Sequence, residues 1–349
     1  MPFYFCMDDR KKRILQAVTD DYIDTAEPVG SRTIAKRYNL GVSPATIRSE
    51  MADLEESGYL EQPHVSAGRI PSHKGYRFYV DFIMQTKNIS ERDRLRIRRR
   101  LEEKKRELDL ITEETAKILA QLSNYAAFVL SPVSKAAIIK RLELVQLDSG
   151  LILVILVVNP GFVRTHLVMT ERRLEPEQLA YINVYLNSRL QDVPLSKIGM
   201  SLLREIATEF KEYNNLIETT LETITRLFED RKEQTIFTDG QINILKHPEF
   251  KEAESAKRVF DLIAESDAVS NLLIDTMSTG ALRVVIGKES SHPDMDVCSV
   301  VGAPYEVGGV PVGAIGVLGP TRMHYAEVVA IVELVAGHLG EILTKMLIM

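Results

Sequence analysis

Arg48 stands in the second turn of a segment with both ends marked, Ser43-Pro44-Ala45-Thr46-Ile47-Arg48-Ser49-Glu50-Met51-Ala52-Asp53-Leu54-Glu55-Glu56-Ser57-Gly58. A guanidinium so placed can give two parallel hydrogen bonds to O6 and N7 of a guanine in the major groove. Ala45 or Thr46 can touch a thymine methyl. Ser43, Ser49 and the free N–H groups of a helix N-terminus suit phosphate oxygens. Upstream, Ser31, Arg32, Lys36 and Arg37 extend this DNA-binding set, with Lys36 and Arg37 suited to the phosphate backbone, and downstream Arg69 suits the minor groove. For each residue alone the plainer reading is a solvated surface side chain.

The segment must be a helix for this chemistry to work, and its spacing predicts one. Ser43 can cap the first turn, Pro44 sits where its missing N–H costs nothing, and Gly58 can take the left-handed conformation that ends it. Ile47, Met51 and Leu54 fall at i, i+4 and i+7, one buried stripe, which leaves Ala45, Thr46, Arg48 and Ser49 outside. Residues 9–24 predict a preceding helix with Ile14, Val18 and Tyr22 on one face. After the break at Pro28-Val29-Gly30, Ser31 is expected to cap a short helix from Arg32 to Tyr38. Asn39-Leu40-Gly41-Val42 then reads as a turn, giving a helix-turn-helix pattern. Tyr59 to Gln62 is a strand candidate. Pro63 to Pro71 is a loop, read as a wing with Gly68-Arg69 at its tip. Ser72 is expected to cap a further helix whose aromatic residues, Tyr76, Phe78, Tyr79 and Phe82, read as core and not as a stacking platform.

Ser90 opens a helical tract to about Asn124, with Ile97, Leu101, Leu108, Ile111, Ile118 and Leu122 on a heptad seam broken at Lys104 and Thr115. The six arginines from Arg92 to Arg100 fit DNA phosphates or a solvated face. Strand candidates follow at 138–148, 151–158 and 162–169, then helices at 175–190, 196–228 and 257–275. A last group of strands falls at 281–286, 295–305 and 310–318, with Gly308-Gly309 as a turn, before a helix from Tyr325 to Met349. The expected fold class is α+β multidomain: an N-terminal domain over 1–88, a helical linker over 89–124, and an antiparallel-sheet domain in two parts, 125–210 and 276–349. A mainly helical domain is expected to be inserted over 211–275.

The 349 residues carry a net charge of −6 that is unevenly spread. Residues 1–106 hold 21 Lys and Arg against 16 Asp and Glu, and the remainder 22 against 33, so a polyanion would meet the basic front end. The longest apolar run, Leu151 to Val158, is too short for a bilayer, and Met1 to Cys6 lack the basic start of an export signal, so a cytoplasmic protein is expected. Met7, which opens the polar stretch, reads as an alternative start. Cys6 and Cys298 make no paired motif. There is no phosphate-binding glycine loop, nucleophile elbow or His/Cys cluster, so no enzyme, cofactor or metal is expected. Gly309, Gly313, Gly316 and Gly319 lie on an alternating apolar strand, where close packing explains them better than phosphate binding.

Ser43-Pro44-Ala45-Thr46-Ile47-Arg48, Met51-Ala52-Asp53-Leu54-Glu55 and Gly58-Tyr59-Leu60 resemble the HrcA family of bacterial heat-inducible transcription repressors. The stretches Glu27-Pro28-Val29-Gly30-Ser31, Pro63 to Pro71, Lys74-Gly75-Tyr76-Arg77 and Gly302-Ala303-Pro304-Tyr305 carry the same resemblance, as does the run from Val310 to Tyr325. Met1 to Cys6 stand outside it. The resemblance implies a winged helix-turn-helix, a GAF-like domain and an inserted dimerising domain. It implies a homodimer on an inverted-repeat CIRCE operator before chaperone operons, kept active by the chaperonin GroEL. A regulator sensing a metabolite through the GAF-like domain is the alternative.

Overall fold

The computed structural model describes residues 7–104, 108–132, 138–148, 150–159, 162–170, 173–193, 198, 200–209, 220, 236–264, 267–290 and 292–348. Met1 to Cys6 and most of 210–235 lie outside them. The architecture is mixed α and β, and every strand pair among the described residues is antiparallel.

The N-terminal unit contains α1 (Asp9–Thr25), α2 (Ser31–Arg37), α3 (Pro44–Glu56), the two-stranded ribbon β1 (Leu60–Glu61) and β2 (Ile70–Pro71), and α4 (His73–Phe78). Ile14, Leu15, Val18, Ile34, Ile47, Met51, Leu54 and Leu60 form its core. The ends of α3 follow from local chemistry. Ser43 Oγ accepts from Thr46 N at 3.1 Å. Gly58 takes φ +76°. Tyr59 N then bonds Leu54 O at 2.8 Å and Gly58 N bonds Glu55 O at 2.9 Å, the paired bonds of a Schellman stop. α2 departs from expectation at its start: Gly30 is the cap residue and Ser31 the first helical one, with no side-chain cap.

The tract from Ser90 is not one helix. α5 (Glu91–Glu103) ends at Lys104 and α6 (Leu108–Ser123) follows. Arg100 reaches across to Glu114 and to Gln121 at 2.7 Å. Ile97, Leu101, Ile111, Ile118 and Leu119 are buried with Val301, Tyr305 and Val332 in one cluster. The expected linker is therefore a layer of the main core, because its apolar seam is satisfied by the long helix Tyr325–Ile348 and by the sheet that this helix covers. Arg94, Arg98 and Arg99 pair with Glu91, Glu102 and Glu103 along the same helix, which fits the solvated-face reading of that basic run.

That sheet has the order β7-β3-β10-β9-β8. Its strands are β3 (Ala126–Leu130), β7 (Ile236–Asp239), β8 (Arg283–Ile286), β9 (Cys298–Val307) and β10 (Val310–Pro320). One face packs on α6 and α11 (Tyr325–Ile348), and α5 lies against those two helices. On the other, Phe128, Leu130, Val300 and Leu318 pack with Phe250, Val259 and Leu273 of the segment holding α9 (Ala253–Ala264) and α10 (Asp267–Thr279). A Cβ on Gly313 would meet Tyr305, on Gly316 Leu273 and on Gly319 Tyr125, so those glycines serve close packing.

The strands at 138–169 do not join this sheet. β4 (Ile138–Asp148), β5 (Leu151–Asn159) and β6 (Phe162–Met169) form a separate three-stranded sheet. Its buried side chains, Leu142, Leu144, Ile152, Val154 and Leu156, pack with Ile182, Leu186 and Leu190 of α7 (Pro176–Leu190) and with Ile206 of α8 (Met200–Glu209). The chain leaves the large sheet at Leu130 and re-enters it at Ile236, where β7 pairs with β3. The interruption therefore contains the strands once expected in the first part of the sheet domain. Residues 253–275, once expected in the insertion, instead cover the second face of the large sheet.

One edge of the small sheet is closed by side chains. Asn187 Oδ1 accepts from Leu142 N at 3.0 Å and its amide donates to Leu142 O at 2.6 Å. Asn183 treats Leu144 the same way, at 2.8 and 3.0 Å. Spaced i, i+4 on α7, the two amides occupy the outward groups of β4 as a strand would. Asn187→Leu keeps the volume and strips both bonds, so we expect a stability loss of about 1–3 kcal/mol, read from the urea midpoint.

Candidate nucleic-acid interface

α3 presents the side opposite its buried stripe. Ile47, Met51 and Leu54 are buried, while Ala45, Arg48 and Ser49 are exposed and Thr46 is half-buried. The packing of Ile34 and Ile47 sets α2 beneath α3, and Gly41, at φ +71°, turns the chain between them. Arg10 and Lys11 of α1 pair with Glu50, and Lys11 with Asp53 at 2.9 Å, which fixes the rotation of α3 about its axis. Ser43 Oγ is occupied by its cap and by Thr46 Oγ1 at 3.0 Å, so a phosphate at this end would meet main-chain N–H groups.

The cations of the expected set divide into two groups. Arg32, Lys36 and Arg48 are exposed and form no ion pair among the described residues. Arg37 is bound to Asp21, and that hydrogen bond pushes its guanidinium pKa up. Arg69 is not at the wing tip. Its main chain bridges Val29, with N to O and O to N both at 2.9 Å, and its side chain grips Glu55 of α3 at 2.7 Å. Gly68 lies so close to Val29 that a Cβ would fall 2.4 Å from that backbone, so the base of the loop is pulled inward. The tip is His64-Val65-Ser66, with Val65 98% exposed. Gln62 holds that loop, its amide donating to Val65 O at 2.9 Å and Ala67 O at 3.0 Å. Lys74 donates to Ser57 O at 2.8 Å and lies 4.3 Å over the Tyr59 ring. Gln62, Glu55 and Lys74 are positioning residues whose roles the residue spacing alone does not give. A polar residue opening a tight loop was the available signal for Gln62.

Beneath this unit Tyr79 donates to Asp20 of α1 at 2.6 Å. Burial pushes the Asp20 carboxyl above the ordinary carboxylate range, against the pull of the Tyr79 bond, and the Tyr79 phenol is pushed up by burial first and then by Asp20. With the folded value raised, the contribution of Asp20 to stability is full below the ordinary carboxylate value and is lost as pH rises through the folded one. Asp20→Asn keeps an acceptor for Tyr79 and removes that loss. The variant should therefore gain stability relative to the parent between acid and neutral pH, as measured by urea unfolding at both.

A helix held by its buried stripe, with Arg48 exposed on its outer face, Arg32 and Lys36 exposed on α2 and a loop braced beside it, is an arrangement that can meet a polyanion. Comparison with known proteins identifies the family. A family model described as the HrcA protein C-terminal domain matches residues 109–329. The heat-inducible transcription repressor HrcA of Carboxydothermus hydrogenoformans is 43% identical over 97% of this chain and 98% of its own. That of Pelotomaculum thermopropionicum is 40% identical over 97% of each. A solved structure described as a hypothetical protein at 2.2 Å resolution shares the fold, with a TM-score of 0.57 and 23% identity over 97% of this chain and 98% of that one. The chain belongs to the HrcA family of heat-inducible transcription repressors. No helix among the described residues is long and apolar enough to cross a membrane.

Proposed function

We propose that this chain represses heat-shock chaperone operons by binding a CIRCE-type inverted repeat as a homodimer, with GroEL keeping it in the active form. In this reading the N-terminal unit is a winged helix-turn-helix, the large sheet with its helices is a GAF-like domain, and the unit between β3 and β7 is the inserted dimerising domain. The observation that carries the reading is Arg48, exposed and without an ion pair among the described residues, on the outer face of a helix whose inner face is buried. Around it Ala45, Thr46 and Ser49 face the bases, and Ser31, Arg32, Lys36 and the Ser43 turn face the phosphates. A two-fold dimer reads half-sites related by the same symmetry, and its two α3 helices must stand about 34 Å apart, or a multiple, to lie on one DNA face.

Fluorescence anisotropy with a CIRCE-type duplex and a scrambled duplex of equal length tests this. We expect tight binding to the first, with an affinity that falls steeply with salt, and weak binding to the second. Equal affinity for both would overturn the operator reading. Both faces of the large sheet carry packed side chains such as Phe128, Tyr305 and Ile315, and the metabolite-sensing alternative would have to use the open cavity lined by Ala303, Glu306, Gly337 and Gly340.

A further inference from the structure

The N-terminal unit and the large-sheet core are joined by two arginines that cross the junction in opposite directions. Arg77 on α4 reaches into the core. Its Nε donates to Glu289 at 2.7 Å, one terminal nitrogen donates to Glu289 and to the Val284 carbonyl, and the other holds Asp81 at 3.1 Å. Glu289 is itself fixed by accepting from Ile286 N at 2.9 Å. Arg322, in the turn before α11, reaches the other way. It donates to Ile23 O at 2.8 Å while its opposite edge holds Glu249, and its side chain is only 11% exposed. The Ile23 carbonyl lies in the last turn of α1, where a helix leaves its acceptors unpaired, so Arg322 supplies what the helix lacks.

Between the two arginines the contact is apolar. Ile23 and Tyr76 belong to the same buried cluster as Tyr325 and Val328 of α11, and the Tyr76 and Tyr325 rings lie 6.0 Å apart. At the rim Lys87 N bonds Ala326 O at 3.1 Å. A planar guanidinium bonded to a carboxylate and to a main-chain carbonyl fixes orientation as well as distance, which a point charge does not. We propose that Arg77 and Arg322 are positioning residues that lock the α3 reading surface at one angle to the core, so that the half-site spacing a dimer accepts is set by this clasp. The inference rests on the dimeric operator reading given above.

The test uses the full chain and three duplexes: a CIRCE-type inverted repeat, the same repeat with its spacer lengthened by about five base pairs, or half a helical turn, and a single half-site. Arg77→Met removes the fork and keeps the length. Arg77→Lys and Arg322→Lys keep the charge and lose the fork, and are the variants chosen to remain folded. We expect each to bind the half-site as the parent does, while the ratio of affinities for native over lengthened spacing falls about tenfold. An unchanged ratio in both lysine variants would overturn the clasp, as would an equal fall on all three duplexes. A parent chain that does not distinguish the inverted repeat from a scrambled duplex would instead bring down the operator reading, and this inference with it.

Discussion

Arg48→Ala is expected to lower affinity for the specific operator by about 1–3 kcal/mol, a loss of roughly 5- to 150-fold, while non-specific DNA binding falls far less. Arg48 takes no part in holding the N-terminal unit together. It is exposed, unpaired among the described residues, and absent from the core that holds α3 in place, so its removal leaves the fold intact. Arg37→Ala and Arg69→Ala should behave differently. The first leaves the buried carboxylate of Asp21 unpaired, and the second frees Glu55 and loosens the loop base, so both should register in thermal unfolding as well as in binding. Anisotropy titrations on specific and random duplexes at matched salt separate the two kinds of effect. Equal losses on both duplexes for Arg48→Ala would reduce that residue to a phosphate contact.

Gly75→Ala is expected to destabilise the N-terminal unit, against the sign that helix propensity gives. Inside a helix, glycine to alanine ordinarily gains up to about 1 kcal/mol. Here a Cβ would fall 2.1 Å from Tyr59 O and 3.2 Å from Tyr59 C. Both atoms are main chain, so no rotamer change relieves the clash, and overpacking of this kind costs about 1–3 kcal/mol or more. The strain bears on the reading helix as well. Tyr59 N closes the stop of α3 on Leu54, and Tyr59 O accepts from Ser72 N at 3.1 Å. Circular dichroism should show a melting temperature several degrees lower, and operator affinity should fall with it. A raised melting temperature would mean that α4 can shift away from Tyr59 at little cost.

What the chain order made readable was what neighbouring residues decide. The Ser43 cap, the Gly58 stop, the stripe of Ile47, Met51 and Leu54, and the strands β4 to β6 all depend on residues close in sequence. What stayed hidden depends on distant partners. Nothing near Arg69 shows that Glu55 lies beneath it, and nothing near Arg37 points to Asp21, so both looked like free cations. The break after Glu103 was visible only as a lysine in a heptad seam, while the fold-back was decided by a sheet assembled from residues 126 to 320. β7, four residues at the end of a polar tract, has no pattern of its own and exists because β3 offers it an edge. The return of the chain to β3 is what shows which strands lie inside the interruption of the large sheet. Family resemblance reached the regulator class directly, but it does not reveal which arginines are free to act.

The amide-covered edge of β4 bears on how far assembly can go. Strand addition needs an open row of N–H and C=O groups, and a sheet open at both edges can recruit copy after copy into a fibre. Asn183 and Asn187 occupy that row at Leu142 and Leu144 on the β4 edge of this sheet. A sheet edge occupied in this way gives a strand from another chain nothing to pair with at those two positions, which works against edge-to-edge aggregation.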